Sequence, residues 1–230
     1  MITIFVKFTN HADELLNGHI RMNPLEYYRG VEKILSGNTS ELDNPAVYDV
    51  LEGSAGYIPI DDCVKFGIHF SDEEKEHFRG MHLLDETAKY LKLFCLYQWH
   101  FFPEKGTAVR LPNELNQFGK DAVIIKNKKT LLDRMLGSIR ALENFHTAFA
   151  DSVEYYDSER DFTELGGYPP WNKRKEYAWQ KEFRVGILEK SPCIEWIDLE
   201  IGPISDIAFK VNSQSLILHP EWYVPKYKFE

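Results

Sequence analysis

Ile2 to Phe8 sets β-branched and aromatic residues in a two-residue alternation, the period of a strand. Asn10 then stands as a cap for a short helix over 11–17, with Asp13 and Glu14 in its first turn and Gly18 as its stop. A second short strand, His19 to Met22, ends at Asn23-Pro24, and 25–35 reads as a helix between Pro24 and Gly37. The stretch 38–60 has weak periodicity and many Asn, Asp, Gly and Ser, so it reads as a long loop of the kind used for lids or binding. Further strands are expected at 64–70 and 91–99. The second is a continuous apolar run suited to a buried central position. Between them, 72–90 is polar with a helical look and a break at Gly80.

The second half continues in the same mixed way. A turn or short helix at 111–118 precedes a compact strand at 122–125. A long helix is expected over 130–149, because Leu131, Leu132, Met135, Ile139, Leu142 and Phe145 recur at helical spacing. A strand at 153–156, a loop at 157–170, and strands at 182–188, 194–199 and 204–211 follow, with an irregular tail. No repeat, low-complexity tract or long linker divides the chain. The pattern predicts a single α+β domain over 1–230 with strands running to both ends.

Composition narrows the class. The 230 residues are 43% hydrophobic and 27% charged, which excludes disorder and fibrous repeats. Lys and Arg total 27 against 36 Asp and Glu, a formal charge of −9 that argues against non-specific nucleic-acid binding but leaves room for a local basic groove. Cys63, Cys95 and Cys193 are far apart and lie beside apolar residues, as buried thiols in a reducing compartment do. With neither a secretory signal nor an apolar run of about 18 residues, a soluble cytoplasmic protein is expected.

The segment richest in chemistry is Lys173-Arg174-Lys175-Glu176-Tyr177-Ala178-Trp179-Gln180-Lys181-Glu182-Phe183-Arg184-Val185. If the strand starts at Trp179, then Gln180, Glu182 and Arg184 share one face, and Lys181, Phe183, Val185 and Ile187 the other. Three polar groups in a row can orient a polar ligand; a solvated strand face is the other reading. The order Gln180-x-Glu182 at a strand start, after aromatic and basic residues, resembles the catalytic segment of the ADP-ribosyltransferase superfamily. The opening Phe5-Val6-Lys7-Phe8-Thr9, short helix, then Leu16-Asn17-Gly18-His19-Ile20-Arg21-Met22, is similar to toxin-like members that modify nucleic acids. The whole order also resembles a bacterial and phage domain family of unknown function, through Lys7-Phe8, Gly119 to Ile124, and the late Lys-x-x-x-Trp-x-x-Glu-x-Arg element from Lys175 to Arg184.

The resemblance implies a split, mostly antiparallel sheet with flanking helices, NAD as the substrate, and a macromolecular acceptor, either nucleic acid or protein. It implies that Glu182 stabilises the oxocarbenium-like charge and that Gln180 orients the acceptor. Lys7 or Arg21 would hold the pyrophosphate, with Tyr27 or Tyr28 stacked on nicotinamide. Lys173, Arg174 and Arg184 would face the substrate. It further implies a toxin or phage-defence effector with an antitoxin or inhibitor partner. Bland readings stand beside these: core tyrosines, a surface Arg21, and a Lys7 that snorkels from a strand edge.

Other chemistry is thin in the sequence. No HExxH and no Cys-His set with zinc spacing occurs, so no metal is expected. Neither a GxSxG elbow around Ser54 nor GxGxxG is present. Lys126, Lys128 and Lys129, with Lys173, Arg174 and Lys175, are the dense basic clusters that keep a nucleic-acid acceptor in view. Two competing functions remain open. One is a non-enzymatic interaction protein, which the aromatic content would suit. The other is an RNA-cleaving enzyme with His146 as base.

Overall fold

The computed structural model describes residues 2–30, 52–78, 80–84, 86–102, 107–157, 169–192 and 195–223. In chain order the elements are β1 (Ile2–Thr9), α1 (Ala12–Leu16), β2 (His19–Pro24), α2 (Leu25–Arg29), β3 (Ser54–Pro59), α3 (Asp72–His77), β4 (Gly80–Leu84), β5 (Leu91–Phe102), β6 (Thr107–Ala108) and β7 (Asp121–Ile125). Then come α4 (Lys128–Ile139), β8 (Phe145–Ser152), β9 (Glu154–Tyr156), β10 (Asn172–Arg174), β11 (Glu182–Glu189), β12 (Ile197–Glu200), β13 (Ala208–Asn212) and α5 (Ser213–Leu218). Tight 3-10 turns fill several connections, among them Ile60–Phe66, Asn113–Phe118 and Lys175–Gln180. The protein is mixed α+β and its sheet pairing is mostly antiparallel. It forms two compact units: Met1–Pro24, Tyr90–Ser152 and Trp179–Glu230 in one, Leu25–Lys89 and Val153–Ala178 in the other.

The first unit is built on a nine-stranded sheet with the path β12-β2-β5-β1-β7-β13 and with β11, β8 and β6 joined at β5 and β11. At its centre β5 runs for 12 residues, long enough to take different neighbours along its length. Leu93 pairs with Gly186 of β11 on one edge and Asn23 of β2 on the other. Farther along, Tyr97 pairs with Glu182 of β11 and Val6 of β1. So β1 and β2 share one edge of β5 and part company at 94–96. That is a split in the sheet.

Strict alternation gives this sheet two apolar faces. Phe5, Phe94, Leu96, Val123, Ile125, Val185 and Ile187 pack under Leu15 of α1 and Leu131, Met135 and Ile139 of α4. Ile4, Val6, Phe8, Trp99, Phe101 and Ile124 pack under Leu115 and under Leu216 and Ile217 of α5. Each such side chain removed from water contributes about 1.5–3 kcal/mol, so the two faces dominate the stability of the unit. Two glycines make the close turns possible. A Cβ on Gly18 (φ 94°) would collide with the carbonyl of Gly202, and one on Gly119 with the backbone of Thr9.

The second unit holds the antiparallel pair β3–β4 and the parallel pair β9–β10. Its inner polar residues are matched. Arg29 Nε donates to the Glu52 carbonyl at 2.7 Å, and Lys173 Nζ lies 3.0 Å from the Glu52 carboxylate. Both partners of the latter pair are buried.

Several elements differ from the sequence reading. The helix over 72–90 is only α3, because Phe78 leaves it extended and β4 follows. The strand over 64–70 is instead the 3-10 turn Ile60–Phe66, closed by Gly67 at φ 76°. The helix over 130–149 stops at Ile139, and Phe145–Ser152 becomes β8 because it pairs with β11. Asn10 does not cap α1; its Oδ1 accepts from the Lys120 N–H at 3.0 Å. The tail is not irregular throughout, since Asn212 caps α5 by accepting from the Ser215 N–H. Most of the loops expected at 38–60 and 157–170, and the end of the helix at 25–35, lie outside the described residues.

Candidate functional site

Glu182 is the first residue of β11, and the chain reaches it through an unusual turn. The 3-10 turn Lys175–Gln180 ends at a buried Gln180, and Lys181 follows at φ 39°, a left-handed conformation rare for a residue with a Cβ. The Lys181 carbonyl accepts from the Gln98 N–H at 2.9 Å, and this fixes the entry of β11 against β5. The alternation expected from Trp179 onward therefore does not hold. Gln180 belongs to the turn, not to the strand face that carries Glu182 and Arg184.

On that face Arg184 Nη2 donates to Glu182 Oε2 at 2.9 Å. Arg184 is 1% exposed and the Glu182 side chain 11%, so the ion pair is shielded from water. Register sets Arg184 opposite Cys95 and Glu182 opposite Tyr97. The half-buried Cys95 thiol is pushed up to about 12, first by burial and then by the Glu182 charge, against the opposing pull of Arg184 and Lys7. It stays protonated opposite Arg184 in the ladder, two residues from the Tyr97–Glu182 pair. Burial also raises the Tyr97 phenol, whose buried hydroxyl has no hydrogen-bond partner among the described residues.

Lys7 comes in from β1. Its Nζ donates to the Cys95 carbonyl at 2.8 Å and sits 4.8 Å from the centre of the Phe94 ring. Both residues belong to the 94–96 stretch where β1 and β2 separate. Burial holds the half-buried ammonium below its usual range, while Cys95 and Glu182 draw it back up. Gln98 completes the surroundings, its Nε2 donating to Ser152 Oγ at 3.0 Å and to the Glu182 carbonyl at 3.3 Å. Register places Lys7 on the sheet face of Phe5 and Phe94, and Glu182 with Arg184 on the face of Tyr97. The ion pair presents a fixed carboxylate to developing positive charge, and Lys7 is a cation at the edge of β5 where β1 and β2 separate.

The remaining expected residues are placed elsewhere. Arg21 is exposed on β2, with its Nε 3.0 Å from Asp198 and its guanidinium 4.5 Å above the Trp196 ring. Tyr27, Tyr28, Lys173 and Arg174 belong to the second unit. There Tyr27 and Tyr28 meet edge to face at 5.4 Å. Lys173 is buried against Glu52 rather than turned to an acceptor, and Arg174 Nη2 donates to the Tyr177 hydroxyl at 3.1 Å. The sequence points to Cys95 only as a buried thiol, and to Tyr97 and Gln98 only as part of the apolar run expected to form the central strand.

Among the described residues no helix is long and apolar enough to cross a membrane, and no group of three His, Cys, Asp or Glu is arranged to hold a metal ion. No family model matches the chain, and neither a curated protein nor a solved structure matches it.

Proposed function

We propose that this protein transfers ADP-ribose from NAD to a macromolecular acceptor, as the resemblance of its Gln-x-Glu segment and opening strands implies. One observation carries the reading. Glu182 stands at the start of β11, ion-paired to Arg184, and Lys7 reaches the Cys95 carbonyl where β1 and β2 part on the edge of β5. A carboxylate for the developing positive charge and a cation for the pyrophosphate are what the reaction needs.

In that reaction the bond between the nicotinamide nitrogen and C1′ of its ribose breaks, and the electron pair leaves with nicotinamide. Positive charge builds on the ribose and is stabilised by the Glu182 carboxylate, whose orientation is set in advance by Arg184. The acceptor nucleophile then bonds to C1′ and releases its proton to water. Lys7, which has no carboxylate within ion-pairing distance among the described residues, supplies the cation for the pyrophosphate. Arg21 is already matched by Asp198, so Lys7 is preferred for this role. The toxin or phage-defence setting goes with the same resemblance.

The test is incubation of the purified protein with labelled NAD and cell lysate, followed by counting label in protein, DNA and RNA. Glu182→Gln keeps the shape and removes the charge, and incorporation should fall by about 10²–10³. Undiminished labelling by the variant would remove Glu182 from the mechanism. Absence of both labelling and NAD-dependent thermal stabilisation in the parent protein would leave a non-enzymatic interaction protein as the better account.

A further inference from the structure

The sheet of the first unit ends on β12, β13 and β8, and the three edges are built differently. β12 has four residues and exposes Asp198 and Glu200. β13 has five and carries Lys210, ion-paired to Asp13 at 2.6 Å. Short length and charge are how a sheet edge avoids pairing with another chain. β8 has neither protection: it runs for eight residues with no Lys, Arg or Pro and a single acid, Asp151. Its ladder with β11 is regular from Thr147 to Ser152, and Phe149, Ala150 and Asp151 are exposed. Among the described residues no strand pairs with its outer edge.

The direction of the β8 peptide groups follows from one hydrogen bond in the neighbouring ladder. The Lys181 carbonyl accepts from the Gln98 N–H at 2.9 Å, so along β11 the odd-numbered residues turn their backbone groups toward β5 and the even-numbered ones toward β8. Arg184 stands opposite Asp151 and Gly186 opposite Phe149. Thr147, Phe149 and Asp151 therefore bond to β11, while Ala148, Ala150 and Ser152 point their backbone groups outward. The Ser152 N–H agrees with this, since it donates to Asp151 Oδ1 at 2.7 Å.

We propose that β8 is the seam of a symmetric dimer, in which it pairs antiparallel with β8 of a second copy and the two sheets become one. Outward backbone groups must meet outward groups, so only registers whose paired residue numbers sum to an even value are open. The register centred on Phe149 fits best. Ala148 then exchanges both backbone hydrogen bonds with Ala150 of the second copy, and the two-fold axis repeats the exchange. Phe149 meets Phe149 at a non-hydrogen-bonded position, where opposite side chains lie closest and an aromatic pair is favourable. Asp151 meets the Thr147 hydroxyl, and His146 meets Ser152. Centring on Ala148 or Ala150 instead sets the Asp151 charge against Phe145 or Phe149. The chain's charge of −9 does not forbid the seam, because β8 itself is nearly neutral and charges farther apart are screened by salt. Nothing in this dimer depends on the transferase reading.

The experiment is sedimentation equilibrium from about 1 to 200 µM, because a seam of one strand lies at the low end of interface sizes. The weight-average mass should rise with concentration toward that of two chains. Ala150→Pro removes an outward N–H and no bond to β11, so the dissociation constant should rise at least about tenfold with the circular dichroism spectrum unchanged. Register is read by disulfide formation under oxidised glutathione in a Cys63→Ala, Cys193→Ala background. Phe149→Cys should cross-link to its own copy, since opposite residues at a non-hydrogen-bonded site have Cα atoms about 4.5 Å apart. Thr147→Cys should not, because its two copies would lie about 14 Å apart along the strands. If Ala150→Pro does not fold, the two cysteine variants decide. A parent protein monomeric throughout would overturn the seam and leave β8 as an edge for a strand of another protein. A dimer that persists in folded Ala150→Pro, or equal cross-linking through positions 147 and 149, would overturn it as well.

Discussion

Cys95 shows how a single side chain reports on the site. An ordinary thiol begins to ionise near neutral pH, yet burial and the adjacent Glu182 push this one from 9.0 up to about 12. At pH 8 its thiolate fraction is therefore roughly a thousandfold lower than that of an unperturbed cysteine. In a Cys63→Ala, Cys193→Ala background, alkylation of Cys95 at pH 8 should be slower by about that factor, and Glu182→Gln should speed it up. A rate equal to that of a free thiol would mean that Cys95 is not buried, and no change on Glu182→Gln would mean that the carboxylate does not act on it. The sign of the stability linkage follows from the same shift. A raised pKa contributes stability in full below 9.0, which is lost as pH rises through about 12. Lys7 acts the other way. Its lowered pKa means that the unfolded chain holds the proton more tightly, so stability is gained as pH rises through the folded value toward 10.5. The two trends oppose one another in an alkaline melt, and alkylation separates them by reading the thiolate directly. In the sequence, Cys95 was legible as a thiol among apolar neighbours. Its closeness to Glu182 was not, because 87 residues separate partners that only strand register brings together.

Between elements, β5 and β11 are joined by more than their ladder. Lys92 and Glu189 form a buried ion pair at 2.7 Å, and Asn144 Nδ2, just before β8, donates to Glu189 Oε1 at 3.0 Å. Removing one partner leaves the other charge buried, so Lys92→Met should cost about 3–5 kcal/mol in denaturant unfolding. Lys92→Met with Glu189→Leu should recover most of that loss, since apolar replacement of a whole buried pair is often neutral. A double variant no better than the single one would show that the pair is needed for more than mutual neutralisation. Local sequence pattern predicted β1, β5, β7 and β11 well because both of their faces are largely apolar and buried, and β2 because its buried residues alternate with exposed ones. It failed over 130–149, where helical spacing continues through Leu142 and Phe145. There the free edge of β11 recruits Phe145–Ser152 as a strand, and pairing outweighs propensity.

At the scale of the molecule, each of the two units contains its own buried ion pair, Lys92–Glu189 in one and Lys173–Glu52 in the other. Lys173→Met should therefore speed amide exchange in β3, β4 and β10 by about 10² or more, while β1, β7 and β13 keep their protection. Uniform acceleration across both sets would mean that the chain opens as one cooperative body. The sequence by itself determined the α+β class, the apolar central strand at 91–99 and the segment that carries Glu182, because these depend on local periodicity and residue type. Tertiary structure alone decided that Gln180 leaves the strand face, that Lys173 is turned inward to Glu52, that Arg184 pairs with the Glu182 carboxylate opposite Cys95, and that Lys7 reaches the Cys95 carbonyl. Apart from Lys173, those placements depend on a left-handed backbone at Lys181 and on register between β1, β5 and β11. Long-range pairing of that kind is selected by burial of whole faces at once, and no local window of the sequence contains it.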